Sequence, residues 1–118
     1  MQPDLIKARE NLRGKLLNNA ELVIREVLKE NLNDLIEIGL FGSVAKDKFT
    51  CNSDTDIYLL FENKVPDRIV KGRLRSIAEE YNCDIVFVTL NEFQEESLLA
   101  KNILEDRIIL WRNAHDSE

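Results

Sequence analysis

The sequence predicts an α/β or α+β fold in which one mixed β-sheet is flanked by helices. Three observations lead to this prediction. The chain has 118 residues, a length that suits a single domain over 1–118 with one hydrophobic core. Hydrophobic residues make up 44% of the chain and charged residues 32%, as is typical of globular proteins. Helical and strand patterns follow one another in the order helix, helix, β, β, helix, β, helix, β.

The first thirty residues carry helical periodicity. Residues 3–17 place apolar side chains at helical spacing, and residues 20–31 do the same. Between them, Asn18-Asn19 is typical of a break followed by a new N-cap. Residues 1–19 are therefore expected to form an N-terminal helical extension of the domain, and one long bent helix is the alternative.

The remaining elements follow in short segments. Four apolar runs predict strands, at residues 35–41, 54–61, 83–89 and 107–111. Helical spacing predicts a short turn and two longer helices, at residues 43–48, 66–81 and 91–105. Pro66 suits the first turn of its helix because proline lacks the N–H that would be unpaired there. Residues 113–118 are expected to form a polar tail.

Composition excludes several classes of function. The net charge of −6 argues against general binding to nucleic-acid backbones. The sequence contains no run of eighteen apolar residues, so it predicts no membrane span. Its first residues also lack the pattern of a secretory signal. A cytoplasmic location is therefore expected. Cys51 and Cys83 fit that compartment as free thiols, since no Cys-x-x-Cys or Cys/His cluster is present.

Two aspartates at the start of the second strand are the main candidates for chemistry. Alternate residues of a strand point to the same face, so Asp54 and Asp56 should project together, roughly 6–7 Å apart. Burying a carboxylate requires a partner, and Mg²⁺ prefers oxygen ligands and often carries substrate phosphates. Asp84 opens the third strand in the same way. If these strands are neighbours, three carboxylates meet at one edge, where they could hold metal ions for displacement at phosphorus.

A Gly-Ser pair after the first strand supplies a complementary feature. Gly42 would let the backbone approach a phosphate closely, and N–H groups together with the Ser43 hydroxyl could contact its oxygens. Lys46, one turn later, could add a positive charge. Each of these features is weak alone, and their combination in this order is much more specific.

The pattern Gly42-Ser43-x10-Asp54-x-Asp56, with a strand before it and Asp84 on a later strand, resembles the DNA polymerase beta-type nucleotidyltransferase superfamily. Within it, the chain is most similar to the minimal nucleotidyltransferase (MNT) group, and the resemblance covers residues 20–111. It implies a nucleotidyltransferase-type mixed sheet. It also implies that Gly42 and Ser43 hold the triphosphate and that Asp54, Asp56 and Asp84 are the metal-binding, catalytic carboxylates.

The resemblance further implies a reaction and a partner. A nucleoside monophosphate would move from a nucleoside triphosphate, most often ATP, to an acceptor hydroxyl with Mg²⁺ as cofactor. MNT proteins often pair with a HEPN-domain toxin, and some adenylylate one of its tyrosines. The chain lacks the Arg-x4–6-His signature of the toxin, so the resemblance assigns it to the antitoxin side.

The sequence also departs from the family pattern, and alternatives follow from that. Lys46 replaces an arginine and loses its bidentate geometry, while Asp47 replaces a glycine and adds a negative charge. The Asp47 substitution and the lack of an appended substrate-binding domain favour a second hypothesis, a non-catalytic antitoxin that masks its partner. Modification of a small molecule fits less well, because the chain has no additional helical domain for an acceptor. The acceptor pocket would come from a partner or from a second copy in a homo-oligomer.

Overall fold

The computed structural model describes residues 3–46 and 54–113, with side chains described from residue 10 onward. Within these ranges the helices are α1 (Pro3–Lys29), α2 (Gly42–Ala45), α3 (Arg68–Glu80), α4 (Leu90–Gln94) and α5 (Leu98–Asp106). The strands are β1 (Leu35–Phe41), β2 (Thr55–Phe61), β3 (Cys83–Thr89) and β4 (Ile108–Arg112). The four predicted strands are therefore confirmed to within one residue at each end.

The four strands form one mixed sheet in the order β3-β2-β1-β4. β1 pairs antiparallel with both β2 and β4, whereas β2 and β3 are parallel. The predicted mixed sheet flanked by helices is confirmed. The parallel pair places the beginnings of β2 and β3 at the same edge of the sheet, next to the end of the antiparallel β1.

The N-terminal segment is one continuous helix, α1, so the predicted break at Asn18-Asn19 is wrong and the single-helix alternative is correct. The buried side chains Leu16, Ala20 and Val23 run through the expected break. An asparagine inside a helix costs well under about 1 kcal/mol relative to alanine. Burial of this apolar stripe against the sheet outweighs that local preference. Residues 3–19 of the proposed extension are thus the first part of a helix that continues into the domain.

The helix predicted at residues 91–105 is two helices. Thr89 caps α4 in a capping box, accepting from the Glu92 N–H while the Glu92 carboxylate accepts from the Thr89 N–H. Glu96 has a φ of 55°, in the left-handed region that ends helices. The hydroxyl of Ser97 then accepts from the Ala100 N–H and starts α5. The helix predicted from Pro66 begins at Arg68, because Asp67 caps it through the Val70 N–H.

The sheet has a core on each face. On one face, α1 and α3 pack over strand residues that include Ile38, Leu40, Ile57, Leu59 and Ile85. On the other face, α4 and α5 pack over a smaller cluster whose buried members are Tyr58, Leu60, Val88 and Ile103. The side chains of β2 alternate between the two faces of the sheet. Asp56 therefore points to the same face as Tyr58 and Leu60, which is the face covered by α5.

Several predictions are settled only in part. Among the described residues, none of the helices has the length and apolar character needed to cross a membrane. Cys83 is a buried free thiol, as predicted. Asp47, Cys51 and residues 114–118 of the expected polar tail lie outside the described residues, as does the end of the turn predicted at residues 43–48.

Candidate active site

The turn after β1 depends on a glycine. Gly42 has a φ of 77°, a conformation that side-chain-bearing residues rarely adopt. It starts the short helix α2, which is anchored by the buried side chain of Val44 and closed by a 3.0 Å hydrogen bond from the Lys46 N–H to the Gly42 carbonyl. Ser43 is half-buried beside it. The Gly-Ser pair thus lies at the end of β1 that adjoins the start of β2.

Gly42 also lies against one of the candidate carboxylates. A Cβ added at Gly42 would collide with the Oδ2 atom of Asp56. Phe41, the residue before it, is the register partner of Asp56 in the antiparallel pair. The backbone of the turn can therefore approach the carboxylate only because residue 42 has no side chain.

The three aspartates come together at one edge of the sheet. Asp54 immediately precedes β2 and is exposed, and Asp56 is half-buried within the strand. Asp84 is exposed and is the register partner of Asp56 across the parallel pair. The condition set in the sequence analysis, that these two strands are neighbours, is therefore met, and Asp84 lies near the pair. The exposure of Asp54 and Asp84 leaves this edge open to a ligand.

The electrostatics of the edge reflect this clustering. The pKa of Asp56 is raised above its usual value of 3.8, first by burial and then by the negative charges of Asp84 and Asp54. The pKa of the Cys83 thiol is raised to about 11 by burial and by the charges of Asp54 and Asp56. None of the three carboxylates has a cationic partner among the residues that the structure describes. The edge therefore carries negative charge that a bound cation would offset.

These residues fit a hard divalent cation better than another metal. All the candidate ligands are carboxylate oxygens, which suit Mg²⁺, Ca²⁺ or Mn²⁺ rather than Zn²⁺ or copper. In the described part of the chain, no three acidic, histidine or cysteine side chains already form a closed ligand set. Such a set is not required for Mg²⁺, which usually takes one or two carboxylates and completes its shell with water and substrate phosphates.

Lys46, which is predicted to add a positive charge near a phosphate, forms ion pairs with the end of α5. Its Nζ atom is 3.2 Å from Glu105 Oε1 and 4.0 Å from Asp106 Oδ2, at the end of α5. The side chain is partly exposed, so this ion pair is of the weak surface type. The role of Lys46 in nucleotide binding stays a prediction, and the structure adds two acids that compete for its charge.

A buried polar network behind the aspartates was not foreseen from the sequence. Glu37 is only 4% exposed, and its carboxylate accepts a 2.6 Å hydrogen bond from the Tyr58 hydroxyl. Arg107 donates to the same carboxylate at 2.7 Å, and Arg112 donates twice, at 3.0 and 3.2 Å. The signal available in the sequence was Glu37 itself, because a charged residue inside an apolar strand requires a partner.

The network continues the face that carries Asp56. Tyr58 follows Asp56 by two residues, and its ring lies across Gly39, where an added Cβ would meet the ring and the Ile108 carbonyl. Phe41 and Phe93 each lie 6.4 Å from the Tyr58 ring, centroid to centroid. Burial and the hydrogen bond to Glu37 raise the pKa of Tyr58, so it stays a neutral donor. The strand behind the aspartates is therefore held by packing and hydrogen bonds together.

Comparison with known proteins agrees with this geometry. A family model described as "Polymerase beta, Nucleotidyltransferase" matches residues 22–116. The chain belongs to the polymerase beta nucleotidyltransferase family. The match starts inside α1 and contains the Gly-Ser pair and all three aspartates. The protein is therefore a nucleotidyltransferase, and the predicted superfamily is confirmed. The comparison with curated proteins finds no match.

Solved structures extend the comparison to the fold and to the MNT group. A candidate nucleotidyltransferase from Sulfolobus solfataricus superposes with a TM-score of 0.62 at 19% identity, covering 91% of this chain and 89% of that one. A toxin-antitoxin complex with AMP-PNP gives a TM-score of 0.58 at 28% identity, covering 81% of this chain and 76% of the other.

A third structure contains a tri-AMPylated HEPN toxin from Shewanella oneidensis in complex with an MNT antitoxin. Its TM-score is 0.54 at 26% identity, with 86% of this chain and 76% of that chain covered. The toxin-antitoxin complexes, at 26–28% identity, support the resemblance to the MNT group.

Proposed function

We propose that the protein transfers AMP from ATP to a hydroxyl of a protein partner, in a reaction that depends on Mg²⁺. The observation that carries this proposal is the juxtaposition of Asp56 and Asp84 across β2 and β3, with Asp54 beside them and Gly42 against Asp56. Asp54 and Asp56 would hold Mg²⁺, and Asp84 would join them or act on the acceptor. When bound, Mg²⁺ neutralises the charge of the phosphates and orients them.

The chemistry can be written for the residues of this chain. The backbone and hydroxyl of Gly42-Ser43 bind phosphate oxygens and orient the triphosphate. Asp84, which is exposed, accepts the proton of the acceptor hydroxyl. The acceptor oxygen forms a bond to the α-phosphorus, the bond from that phosphorus to the bridging oxygen breaks, and pyrophosphate leaves. Positioning and charge stabilisation supply most of the rate in such transfers.

The proposed acceptor is a tyrosine of a HEPN-type toxin, so that the protein acts as an antitoxin. Two solved structures that resemble it at 26–28% identity are toxin-antitoxin complexes, one with AMP-PNP and one with an AMPylated HEPN toxin and an MNT antitoxin. The open edge at Asp54 and Asp84 supports a macromolecular acceptor, because a partner surface can reach both exposed carboxylates. The acceptor pocket would then be completed by the partner.

Label transfer tests this proposal. Purified protein, α-labelled ATP, Mg²⁺ and a HEPN-domain partner recovered by pull-down should give a labelled partner, with the label mapped to tyrosine by mass spectrometry. Asp54→Asn/Asp56→Asn should abolish transfer. Asp34→Asn is a matched control, because Asp34 has a φ of 68°, which asparagine adopts readily, and lies at the opposite end of β1. Labelling that survives the double substitution, or its absence with the wild type, would contradict the proposal.

A second candidate, physical masking of the partner without catalysis, is favoured by the pairing of Lys46. The ion pairs with Glu105 and Asp106 draw that charge away from a phosphate site. Growth assays with the toxin separate the two functions. Neutralisation that persists when Asp54, Asp56 and Asp84 are all replaced by asparagine would support masking, and neutralisation that is lost while complex formation persists would support catalysis.

A further inference from the structure

Basic side chains without acidic partners lie along α3 and in the segment just before it. Lys64, Arg68, Lys71 and Arg75 make no ion pair with any residue that the structure describes. Arg73 on the same helix differs, since it pairs with Glu30 of α1 at 2.8 Å. In a protein with a net charge of −6, a cluster of uncompensated cations requires an explanation.

Two of these cations lie over an aromatic ring in a groove. The Nζ atom of Lys71 is 5.8 Å from the centroid of the Phe87 ring, and the Cζ atom of Arg75 is 5.1 Å from it. The groove has a volume of about 480 Å³, and Val86 and Leu99 line it together with these three residues. Cation–π contacts hold the two charged groups in place while leaving their hydrogen-bond donors available.

The groove runs along an unpaired strand edge. β3 is an edge strand of the sheet. Within residues 3–46 and 54–113, it pairs with β2 on one side and with no strand on the other. An edge of this kind presents backbone N–H and C=O groups that can pair with an added strand. The edge and the cations are independent observations: the edge predicts an extended ligand, and the cations predict a negatively charged one.

The groove shares no lining residue with the aspartate edge. It is lined from Val86 to Thr89, the last residue of β3, whereas Asp84 precedes Val86 by two residues. Two residues of β-strand span roughly 6–7 Å. A ligand confined to the groove would therefore contact different groups from the proposed nucleotide.

We propose that this groove binds an extended acidic segment of a protein partner, which adds to the sheet as a strand beside β3. Side chains of a strand alternate between two faces. Carboxylates on one face would meet Lys71 and Arg75, and apolar side chains on the other would meet Val86 and Leu99. A nucleic acid fits less well, because Glu92 also lines the groove and the chain as a whole is acidic.

A synthetic peptide tests this directly on the full chain. The probe is a fluorescein-labelled octapeptide of alternating valine and glutamate, followed by fluorescence anisotropy and by backbone NMR. We expect saturable binding, with the largest shifts at β3 and α3. Lys71→Glu/Arg75→Glu should weaken binding by about tenfold or more, because it removes two ion pairs and adds repulsion. Arg25→Glu/Lys29→Glu, an equal charge change on the exposed side of α1, should leave binding within about twofold.

Further probes separate the alternatives. A peptide with N-methylated alternate residues should bind much more weakly, since it cannot form the strand ladder. Binding of a valine-lysine octapeptide with equal affinity, unchanged binding by Lys71→Glu/Arg75→Glu, or no binding by the wild type would overturn the proposal. Tighter binding of single-stranded DNA would assign the groove to nucleic acid. A concentration-dependent dimer abolished by Lys71→Glu/Arg75→Glu would assign it to a second copy, and both results would also overturn the proposal.

Discussion

Asp56 on β2 and Asp84 on β3 are direct register partners in the parallel pair of this sheet. They are twenty-eight residues apart in the chain, and the pairing makes them neighbours across two strands. The charges of Asp84 and Asp54 add to the effect of burial in raising the pKa of Asp56, because the three carboxylates are close together. A site of this kind gathers like charges at an energetic cost that a bound cation can offset.

The pH dependence of stability should reveal that cost. Because the folded-state pKa of Asp56 is raised, the folded protein binds this proton more tightly than the unfolded chain does. Stability should therefore fall as pH rises from the usual value of 3.8 through the raised pKa. In EDTA, Asp56→Asn should have a larger free energy of unfolding than the wild type at neutral pH, and the difference should vanish below about pH 4.

Urea titrations from about pH 3 to about pH 8 would measure this difference, with Asp34→Asn as a control substitution outside the aspartate cluster. Added Mg²⁺ should stabilise the wild type more than Asp56→Asn at neutral pH, because only the wild type retains the full carboxylate set. An Asp56→Asn variant that is less stable than the wild type at neutral pH in EDTA would contradict the interpretation.

Gly42→Ala should abolish ATP binding while lowering the free energy of unfolding only modestly. The substitution forces an L-residue to a φ of 77° and brings a Cβ against Asp56 Oδ2. A loss of about 1–2 kcal/mol in the free energy of unfolding is expected from the backbone conformation. Displacement of the Asp56 carboxylate should abolish Mg²⁺-dependent ATP binding, as measured by calorimetry.

Gly72→Ala is the matched control for that substitution. Gly72 lies in α3, and a Cβ added there would have nothing within 4 Å, so the alanine meets no obstacle. It should raise the free energy of unfolding by about 0.5–1 kcal/mol and leave ATP binding unchanged. Equal effects of the two glycine substitutions on ATP binding would show that the close approach of Gly42 to Asp56 is unimportant.

The network around Glu37 should contribute strongly to stability. Glu37→Gln removes the negative charge that pairs with both Arg107 and Arg112. We expect a loss of about 2–3 kcal/mol in the free energy of unfolding. This range already allows for the exposure of Arg112, whose ion pair is weakened by solvent. Tyr58→Phe removes one buried hydrogen bond and should cost about 1–2 kcal/mol.

Double-mutant cycles in urea test the coupling within the network. The Glu37 carboxylate and the Tyr58 hydroxyl are joined by a 2.6 Å hydrogen bond. The combined loss of unfolding free energy in the Glu37→Gln/Tyr58→Phe double variant should therefore be smaller than the sum of the two single losses. Each of them should be additive with Glu21→Gln, an exposed residue on α1. Additive effects of the Glu37 and Tyr58 substitutions would mean that their hydrogen bond contributes little.

Lys46 offers a way to measure how α5 affects the proposed nucleotide site. If Lys46 contacts phosphate, Lys46→Ala should weaken Mg²⁺-dependent ATP binding by several-fold. Glu105→Gln/Asp106→Asn releases the lysine from its ion pairs and should then strengthen that binding. Calorimetry on both variants gives the answer, and unchanged affinity in both would exclude Lys46 from the nucleotide site. Stability should change little, because surface ion pairs contribute less than about 1 kcal/mol.

The predicted elements differ in how far the sequence determined them. The strands were recognisable because each is a short apolar run whose character does not depend on distant residues. The helix boundaries were less secure. At Asn18-Asn19 the local preference for a break was outweighed by burial of the apolar stripe of α1. At Glu96 a helix ends in a left-handed conformation, which a glutamate in the sequence does not predict.

The sequence by itself determined the spacing of Gly42-Ser43 and Asp54-x-Asp56, and hence the family, because those residues are close in the chain and their strand periodicity is local. Only the tertiary structure decided which groups meet across elements. Asp84 lies beside Asp56 because β2 and β3 pair in parallel, Lys46 meets Glu105, and Glu37 receives Arg107 from seventy residues away. Such contacts depend on the register and packing of whole elements, which no local pattern encodes.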